Sequence, residues 1–291
     1  MKPDRTASGS KPGLRLPAAP RSIARGSTLR ALLDLEAIAC LAHNLAWVHP
    51  RFDYRTFQRD AATGLAPLGI MERGNHLAHV LRRHLPTVYE EAIAVLTASL
   101  TPPLQRTDDL GLGGFFHLPH VCFVATYGLD PGYNAGRDPF DTSMGAQYEL
   151  TRRFSAEFSI RHFLVRWPER TLARLIEWTR DPDPHVRRLC SEGSRPRLPW
   201  AIRLTAFQQD PRPVLPILEA LKDDPDLYVR RSVANHVGDI AKDHPQLALE
   251  LCDRWMKDAP PERRWLIRHA LRYPAKHGVR EALRLRRLAA R

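Results

Sequence analysis

The sequence predicts an all-α protein whose second half is an array of helical repeats. Apolar residues recur at intervals of three and four along much of the chain, as the buried face of a helix requires. No segment shows the alternating apolar and polar pattern of a β-strand. A short Arg-Arg motif also recurs at intervals of 35 to 43 residues after residue 150, which indicates repeated structural units.

Residues 1–27 are expected to form a disordered basic tail. Pro, Ser and Gly are scattered through this segment, and the prolines interrupt any amphipathic helix. It has no apolar core of a secretory signal. Because acids are scarce and Arg is common, an organellar transit peptide is the alternative.

Residues 28–291 are predicted to form one domain, of which 28–146 supplies the N-terminal helices. Helical runs are predicted at about 28–50, 53–64, 71–84 and 87–99. Residues 101–146 are richer in Pro, Gly and Asp. The GLGG in that segment is interpreted as loop and packing glycines, because it lacks the GK[ST] ending of a phosphate-binding loop.

Residues 147–291 are predicted to form the repeats. The copies of the motif are RRFSAE at 152–157, RRLCSE at 187–192, RRSVAN at 230–235 and a weaker RHAL at 268–271. Two copies follow the turns DPDPHVRR and DDPDLYVRR, in which an Asp can cap the next helix and a Pro can end the previous one. The period fits a HEAT-like solenoid of two-helix units, with the second helices lining a concave face.

In such a stack the Arg pairs would form a ladder that makes the concave face basic. A planar guanidinium group can bind phosphate oxygens through two hydrogen bonds. The alternative is that these Arg side chains pair with Asp residues of neighbouring turns. We expect the first Arg of some pairs to be structural while the ladder as a whole faces phosphate. The predicted phosphate-binding residues are Arg187, Arg188, Arg195, Arg197, Arg230, Arg231 and Lys242.

The distribution of charge supports a nucleic-acid surface in the second half. The net charge of +12 divides into +6 for residues 1–30, −5 for 31–150 and +11 for 151–291. A surface rich in Arg can neutralise phosphates and release counterions. From charge alone, a basic domain without a nucleic-acid partner, or one that contacts acidic lipid or RNA, is the alternative.

No metal site and no membrane segment are expected. The four cysteines are scattered without a pair at zinc-ligand spacing, and the thirteen His show no HExxH-like pattern. No stretch approaches the roughly 18 to 20 consecutive apolar residues of a membrane-spanning helix. Scattered thiols of this kind are typical of a reduced, intracellular protein.

Carboxylates recur close behind the Arg pairs. The position five residues after the first Arg holds Glu157, Glu192 and Asn235 in successive copies, and Asp239 lies one helical turn beyond Asn235. Any single carboxylate can be the salt-bridge partner of a nearby Arg. Three that converge would repel one another unless Arg residues or a cationic ligand compensate, which indicates a chemical role.

The segment SEGSRPRLPWAIRL, residues 191–204, contains a further candidate, Trp200. Pro196 and Pro199 fix the direction of the chain, so that Trp200 projects in a defined direction. A Trp beside carboxylates can form a wall on which a cation stacks. The alternative is a core Trp that anchors the start of a helix.

These residues resemble the AlkC family of HEAT-like-repeat DNA glycosylases. The resemblance rests on SEGSRPRLPWAIRL followed by DDPDLYVRRSVANHVGDIAKDHP, with LTRRFSAEFSIRHFL and HPRFDYRTFQRDAATGL upstream, and it covers residues 28 to 290. It implies excision of cationic alkylated bases from double-stranded DNA in base excision repair. The implied substrates are 3-methyladenine, with 3-methylcytosine and 1-methyladenine also handled, and no cofactor is implied.

By motif, the resemblance places the family's catalytic carboxylates at Glu157, Glu192 and Asp239 and its aromatic wall at Trp200. Gly238 departs from the family pattern, which commonly has Asn there. The chain ends at Arg291, which implies the short form without a C-terminal immunoglobulin-like domain. We expect a monomer in the bacterial cytoplasm, associated with the nucleoid when bound to DNA.

Two other functions are alternatives. A repeat protein that binds nucleic acid or another protein without catalysis would use the same basic face, but it has no evident need for convergent carboxylates. A nuclease would need metal-binding Asp or His clusters, and none has the expected spacing. In a glycosylase, a base that already carries positive charge is a good leaving group. Glu192 would then lie closest to the sugar and its attacking water, assisted by Glu157 and Asp239.

Overall fold

The computed structural model describes residues 13–23, 28–107 and 111–291, and its regular structure in these ranges is entirely helical. The all-α prediction is confirmed, with sixteen α-helices and no strand in the part of the chain described. Contacts divide the chain into two units, one up to Ser159 and one from Ile160. The division falls within a helix rather than between residues 146 and 147, and the single domain over 28–291 stays a prediction.

The described part of the first unit contains six helices and the start of a seventh. They are α1 (Leu35–Val48), α2 (Tyr54–Ala62), α3 (Ile70–His84), α4 (Tyr89–Ala98), α5 (Leu118–Tyr127), α6 (Phe140–Thr151) and α7 (Glu157–Arg166), which crosses the division. Short 3₁₀ helices, Leu29–Leu33 and Leu112–His117, precede α1 and α5. The four helical runs predicted before residue 100 are confirmed.

Short polar side chains begin two of these helices. Asp34 accepts a hydrogen bond from the backbone N–H of Ala37 at 3.0 Å, and Asp53 accepts one from Thr56 at 3.1 Å. Each bond satisfies a donor that the start of a helix otherwise leaves unpaired. These capping hydrogen bonds determine the residue at which each of the two helices begins.

One apolar run, Leu29–Val48, is long and apolar enough to cross a membrane by composition alone. This differs from the expectation that the sequence contains no such stretch. The run is interrupted at Asp34, and the side chains of Ile38, Leu41 and Leu45 are buried in the first unit. These side chains identify α1 as a core helix of that unit.

Close packing in the first unit depends on glycine at several positions, and Gly74 and Gly114 are two of them. A Cβ on Gly74 in α3 would lie 2.8 Å from the Leu118 side chain of α5, and one on Gly114 would lie 2.9 Å from Phe154. Within GLGG, Gly114 is therefore a packing glycine as predicted, whereas the motif leads into the 3₁₀ helix Leu112–His117 and is not a loop throughout. The sequence pattern does not predict α5, because its residues from Leu118 to Val124 are all buried and give no polar–apolar period.

Part of the predicted N-terminal tail packs against α1. The Asn44 side chain accepts from the backbone N–H of Arg15 at 2.7 Å and donates to its carbonyl oxygen at 2.8 Å, and Leu14 is buried. Residues 13–23 therefore differ from the disorder predicted for 1–27. The rest of that prediction, 1–12 and 24–27, lies outside the described residues.

The second unit contains stacked helix pairs. Its helices after α7 are α8 (Pro168–Trp178), α9 (Pro184–Gly193), α10 (Thr205–Gln209), α11 (Leu215–Leu221), α12 (Leu227–Asp243), α13 (Pro245–Met256), α14 (Pro261–Ala270), α15 (Arg272–Lys276) and α16 (Arg280–Leu288). A 3₁₀ helix, Arg212–Val214, precedes α11. Helices pack as the pairs α8–α9, α11–α12 and α13–α14, and α12 contacts both α9 and α14. The prediction of two-helix repeats is confirmed.

The residues at which the repeat helices begin show that the first and last copies of the Arg motif are out of register with the two central copies. Arg187 and Arg230 are each the fourth residue of their helices, α9 and α12, and Arg264 has that position in α14. The copy at Arg152 lies in the turn before α7, whereas the copy at Arg268 lies one helical turn late in α14. Only the two central copies are therefore structurally equivalent.

Candidate active site and nucleic-acid interface

The fourth residue of each repeat helix holds the turn that precedes that helix. Arg187 Nη1 donates to two carbonyl oxygens of this turn at 2.9 and 3.0 Å, Arg230 Nη1 to two at 2.5 and 2.8 Å, and Arg264 Nε to one at 2.9 Å. Arg187 also forms two hydrogen bonds with the buried carboxylate of Asp224, at 2.6 and 3.1 Å. These contacts match the structural use that was the alternative for the first Arg of a pair.

The second Arg of each central pair has a different environment. The Arg188 guanidinium lies over the Tyr228 ring, 4.9 Å from its centroid, and 3.5 Å from a Glu192 oxygen. Arg231 is exposed, and it forms no hydrogen bond or ion pair with the residues that the structure describes. Arg231 therefore has the accessibility that a phosphate contact requires, whereas Arg188 faces the carboxylate.

Two of the predicted carboxylates, Glu192 of α9 and Asp239 of α12, are joined by one cation. They are 5% and 2% exposed. Arg195 Nη1 donates to Glu192 Oε1 at 2.6 Å, and Arg195 Nε donates to Asp239 Oδ2 at 2.9 Å. Lys242 Nζ donates to the other Asp239 oxygen at 3.0 Å. These cations offset the repulsion between the buried carboxylates. We call Glu192, Arg195 and Asp239 the acidic centre.

Glu192 is held in its ionised form. Ser232 Oγ donates to Glu192 Oε2 at 2.6 Å. Burial by itself raises the pKa of Glu192, but the charges of Arg188 and Arg195, with the hydrogen bonds from Ser232 and Arg195, lower it below its ordinary value. Glu192 is therefore a carboxylate at neutral pH and does not act as a general acid there. Ser232 was not predicted as a site residue, although it directly follows the Arg pair of α12.

A fully buried arginine in α7 holds the loop that contains Arg195. Arg161 Nε donates to the Ile202 carbonyl at 2.7 Å, and its Nη1 donates to the carbonyls of Gly193 and Arg195 at 3.0 and 2.6 Å. The loop between α9 and α10 is thus fixed near both ends. Sequence reasoning missed Arg161 because it stands apart from the Arg pairs, and no spacing signal identifies it.

The indole of Trp200 projects from the same loop. Its side chain is 65% exposed, so the alternative of a core Trp that anchors a helix is contradicted. The backbone of Trp200 has a φ of 62°, in the left-handed region that residues other than glycine rarely adopt. Such strain is found where the surrounding structure maintains it, often at functional sites. Within the same loop, Arg197 donates twice to Asp243, at 2.8 and 2.5 Å.

Glu157, the remaining predicted carboxylate, is the first residue of α7. Ser155 Oγ donates to Glu157 Oε2 at 2.8 Å and accepts from the Glu157 N–H at 3.3 Å. Glu157 belongs to the first unit, and its convergence with the acidic centre stays a prediction. Among the described residues, no group of three or more His, Cys, Asp and Glu could hold a metal ion.

Two known proteins are similar to the chain over most of its length, although no family model matches it. An uncharacterized protein, YhaZ, of Bacillus subtilis (strain 168) is 37% identical over 258 residues, which are 88% of this chain and 67% of that protein. The Pseudomonas fluorescens alkylpurine DNA glycosylase AlkC, solved bound to DNA containing an abasic site analog, is 40% identical with a TM-score of 0.78. That match covers 89% of this chain and 68% of the solved one. The chain belongs to the AlkC family.

Membership of the AlkC family confirms the resemblance drawn from the sequence, and the helical repeats agree with the fold of the solved AlkC. The acidic centre and Trp200 lie on segments that carried the resemblance. The departure from the AlkC pattern at Gly238 has a packing role, since a Cβ there would lie 3.3 Å from the Ala270 carbonyl oxygen. Glycine thus allows α12 to approach the end of α14 closely.

Proposed function

We propose that the chain is a DNA glycosylase that hydrolyses the N-glycosidic bond of cationic alkylated bases in base excision repair. The observation that carries this proposal is the acidic centre, in which a buried Glu192 is kept ionised, together with the exposed indole of Trp200 on the loop that follows α9. The activity named for the solved relative, an alkylpurine DNA glycosylase, supports the same function. The proposed substrates are 3-methyladenine, 3-methylcytosine and 1-methyladenine in double-stranded DNA.

The chemistry requires carboxylates rather than a strong acid. When the bond between the sugar C1′ and a cationic base breaks, its electron pair neutralises the base, and the positive charge moves to the sugar. In this proposal Glu192 and Asp239 stabilise that oxocarbenium-like sugar. Water then adds to C1′, and the proton that it loses passes to the carboxylate of Glu192 and from there to solvent. Each carboxylate oxygen has more than one acceptor site, so Glu192 can orient this water while it accepts from Arg195 and Ser232.

Selectivity for a charged base is assigned to Trp200. A cation over an indole gains about 0.5 to 2 kcal/mol, and a neutral base gains far less from the same ring. A 65% exposed side chain can reach a base that is presented to it without rearrangement of the core. The left-handed backbone at Trp200 sets the direction in which its side chain leaves the main chain.

In this proposal the accessible cations of the second unit bind the phosphates of the DNA backbone. The protein would act as a monomer in the cytoplasm. Arg231 and Lys242 have exposed side chains, and Arg197 is partly exposed. Arg187 and Arg230 would contribute by fixing the turns that carry this surface. The phosphate-binding groups and the buried carboxylates that act on the sugar then belong to the same unit.

The test is release of bases from damaged DNA. The protein is incubated with duplex oligonucleotides that each contain one 3-methyladenine, 3-methylcytosine or 1-methyladenine, and the released bases are measured by mass spectrometry. We expect release of at least 3-methyladenine and none from the unmodified duplex. Binding to all duplexes without release of any base would contradict the proposal and support a non-catalytic repeat protein.

A further inference from the structure

A second cluster of charge lies beyond the acidic centre along the repeats. A cavity of about 220 Å³ is formed by α14, the start of α15 and α16. Its lining residues are Trp265, Arg268, His269, Arg272 and Arg286. We call this cavity the basic pocket.

The Arg residues of the basic pocket lack a carboxylate partner among the described residues. Arg268 donates to a backbone carbonyl at the end of α16, and Arg272 donates to the His269 carbonyl and to Asn235 Oδ1, both at 2.9 Å. Arg286 forms no hydrogen bond or ion pair in the described part of the chain. Three guanidinium groups therefore line one cavity without a counter-charge in contact with them.

The pocket lacks a counter-charge because a neutral side chain, Asn235, stands where the preceding repeat has a carboxylate. Asn235 is the ninth residue of α12, and the ninth residue of α9 is Glu192. Glu192 neutralises Arg195 by direct contact. Asn235 Oδ1 has similar geometry, since it accepts from His269 Nε2 at 3.1 Å as well as from Arg272, but it carries no charge. The amide orders the pocket without neutralising it.

The electrostatic result is an excess of positive potential in the pocket. Burial, Arg272 and two further Arg residues lower the pKa of His269 to about 4. Burial and the charge of Arg195 lower the pKa of Arg272, which Asp239 raises. Since Arg272 interacts with both Arg195 and Asp239, the basic pocket adjoins the acidic centre. An anion in the pocket would oppose the lowering of both pKa values.

We propose that the basic pocket binds a phosphate group. Guanidinium groups supply the paired donors that phosphate oxygens accept. The Trp265 ring, stacked on His269 with centroids 5.1 Å apart, adds apolar surface that limits water and strengthens ion pairing. The phosphate can belong to a DNA strand beyond the damaged nucleotide, a case that rests on the proposed function, or it can be a free phosphate ion.

Two substitutions alter the pocket, and a third on the same helix serves as the matched control. Arg286→Ala removes one uncompensated cation. Asn235→Asp supplies the carboxylate that the corresponding position of α9 already has. Arg284→Ala removes a cation from α16 that is already paired with Asp253 and Glu281, at 2.8 and 2.5 Å. Urea unfolding of the three variants checks that each is folded.

The first arm measures binding of an unmodified, fluorescein-labelled duplex across a salt series. Arg286→Ala and Asn235→Asp are expected to lower affinity about tenfold and to reduce the slope of log K against log salt by about 0.9, the loss of one phosphate contact. Arg284→Ala is expected to keep the affinity and slope of the parent. Because no base is released, this arm does not depend on glycosylase activity.

The second arm titrates inorganic phosphate and follows the pKa of His269 by NMR. Phosphate is expected to raise this pKa in the parent and in Arg284→Ala, but not in Asn235→Asp, where a carboxylate already compensates the charge. A response to phosphate with unchanged duplex binding assigns the pocket to a free ion. Unchanged duplex binding in both pocket variants, together with no response of His269 to phosphate, overturns the proposal.

Discussion

The acidic centre and the basic pocket are ordered by side chains at the same position of successive repeats, and these two side chains differ in charge. At the ninth position of α9, Glu192 joins Arg195 in a buried and compensated network. At the ninth position of α12, Asn235 orders Arg272 and His269 but leaves their surroundings positive. A repeat scaffold can therefore present a fixed carboxylate at one step and an anion-binding surface at the next.

The largest expected effect comes from removing the cation of the acidic centre. Arg195→Met leaves the buried carboxylates of Glu192 and Asp239 without their shared partner, which should lower the free energy of unfolding by about 3 to 5 kcal/mol. The control is Arg197→Met, because the Arg197–Asp243 pair is partly exposed and worth about 1 kcal/mol or less. Urea unfolding at pH 7 measures both, and equal losses would contradict the account.

The next effect separates structural from phosphate-binding arginines. Arg187→Met should cost about 3 kcal/mol of unfolding free energy, because it strands the buried carboxylate of Asp224, yet it should leave the salt dependence of DNA binding unchanged. Arg231→Ala is the reverse case. It should change stability by less than about 0.5 kcal/mol and lower the salt slope by about 0.9. A salt slope that falls only in the Arg187 variant would refute this division.

A smaller effect is expected at the exposed aromatic wall. Trp200→Ala should slow the excision of 3-methyladenine about tenfold, corresponding to a lost cation–π contact of about 1.4 kcal/mol. Trp47→Ala, which removes an indole that is 59% exposed in the first unit, is the matched control and should keep the parental rate. Single-turnover kinetics compares them, and equal rates in the two variants would exclude Trp200 from the site.

The smallest effect distinguishes the two clusters by pH. The pKa of His269 is lowered from 6.5 to about 4, so its contribution to stability is present above pH 6.5 and is lost as the pH falls through about 4. The pKa of Glu192 is also lowered, so its contribution is present above its ordinary pKa of 4.5 and is lost only at lower pH. Between pH 6.5 and 4, the free energy of unfolding of His269→Gln should therefore fall by about 1 kcal/mol less than that of the parent, after allowance for solvent screening.

Unfolding curves at intervals of half a pH unit measure this effect. Glu192→Gln should instead flatten the loss of stability below pH 4.5. If both variants change the same pH interval, the assignment of the two clusters is wrong.

Much of the fold follows from the spacing of residues, because amphipathic helices reveal their buried faces. The runs that became α1 to α4 and the motif copies at Arg187 and Arg230 are of this kind. Helix α5 is buried on all sides, so it has no such period. The copies at Arg152 and Arg268 gave a wrong repeat register, because the similar residues there do not occupy the same position relative to the start of a helix.

Residues of the candidate site could be predicted from the sequence where they follow the repeated Arg pair. Glu192 and Asp239 follow Arg pairs, and their pairing with Arg195 brings them together as two carboxylates that share a cation. Arg161, which holds the loop, has no periodic signal. The basic pocket draws its side chains from three helices of the second unit, and no pattern along the chain joins them.

If the acidic centre performs base excision, the charge of Glu192 determines the rate at which 3-methyladenine is released. Single-turnover release of 3-methyladenine is compared in the parent, Glu192→Gln and Glu250→Gln, where Glu250 is an exposed carboxylate of α13. We expect Glu192→Gln to lower this rate at least about 100-fold, about 2.7 kcal/mol of transition-state stabilisation, and Glu250→Gln to keep the parental rate. A folded Glu192→Gln variant that excises the base at the parental rate would contradict the claim.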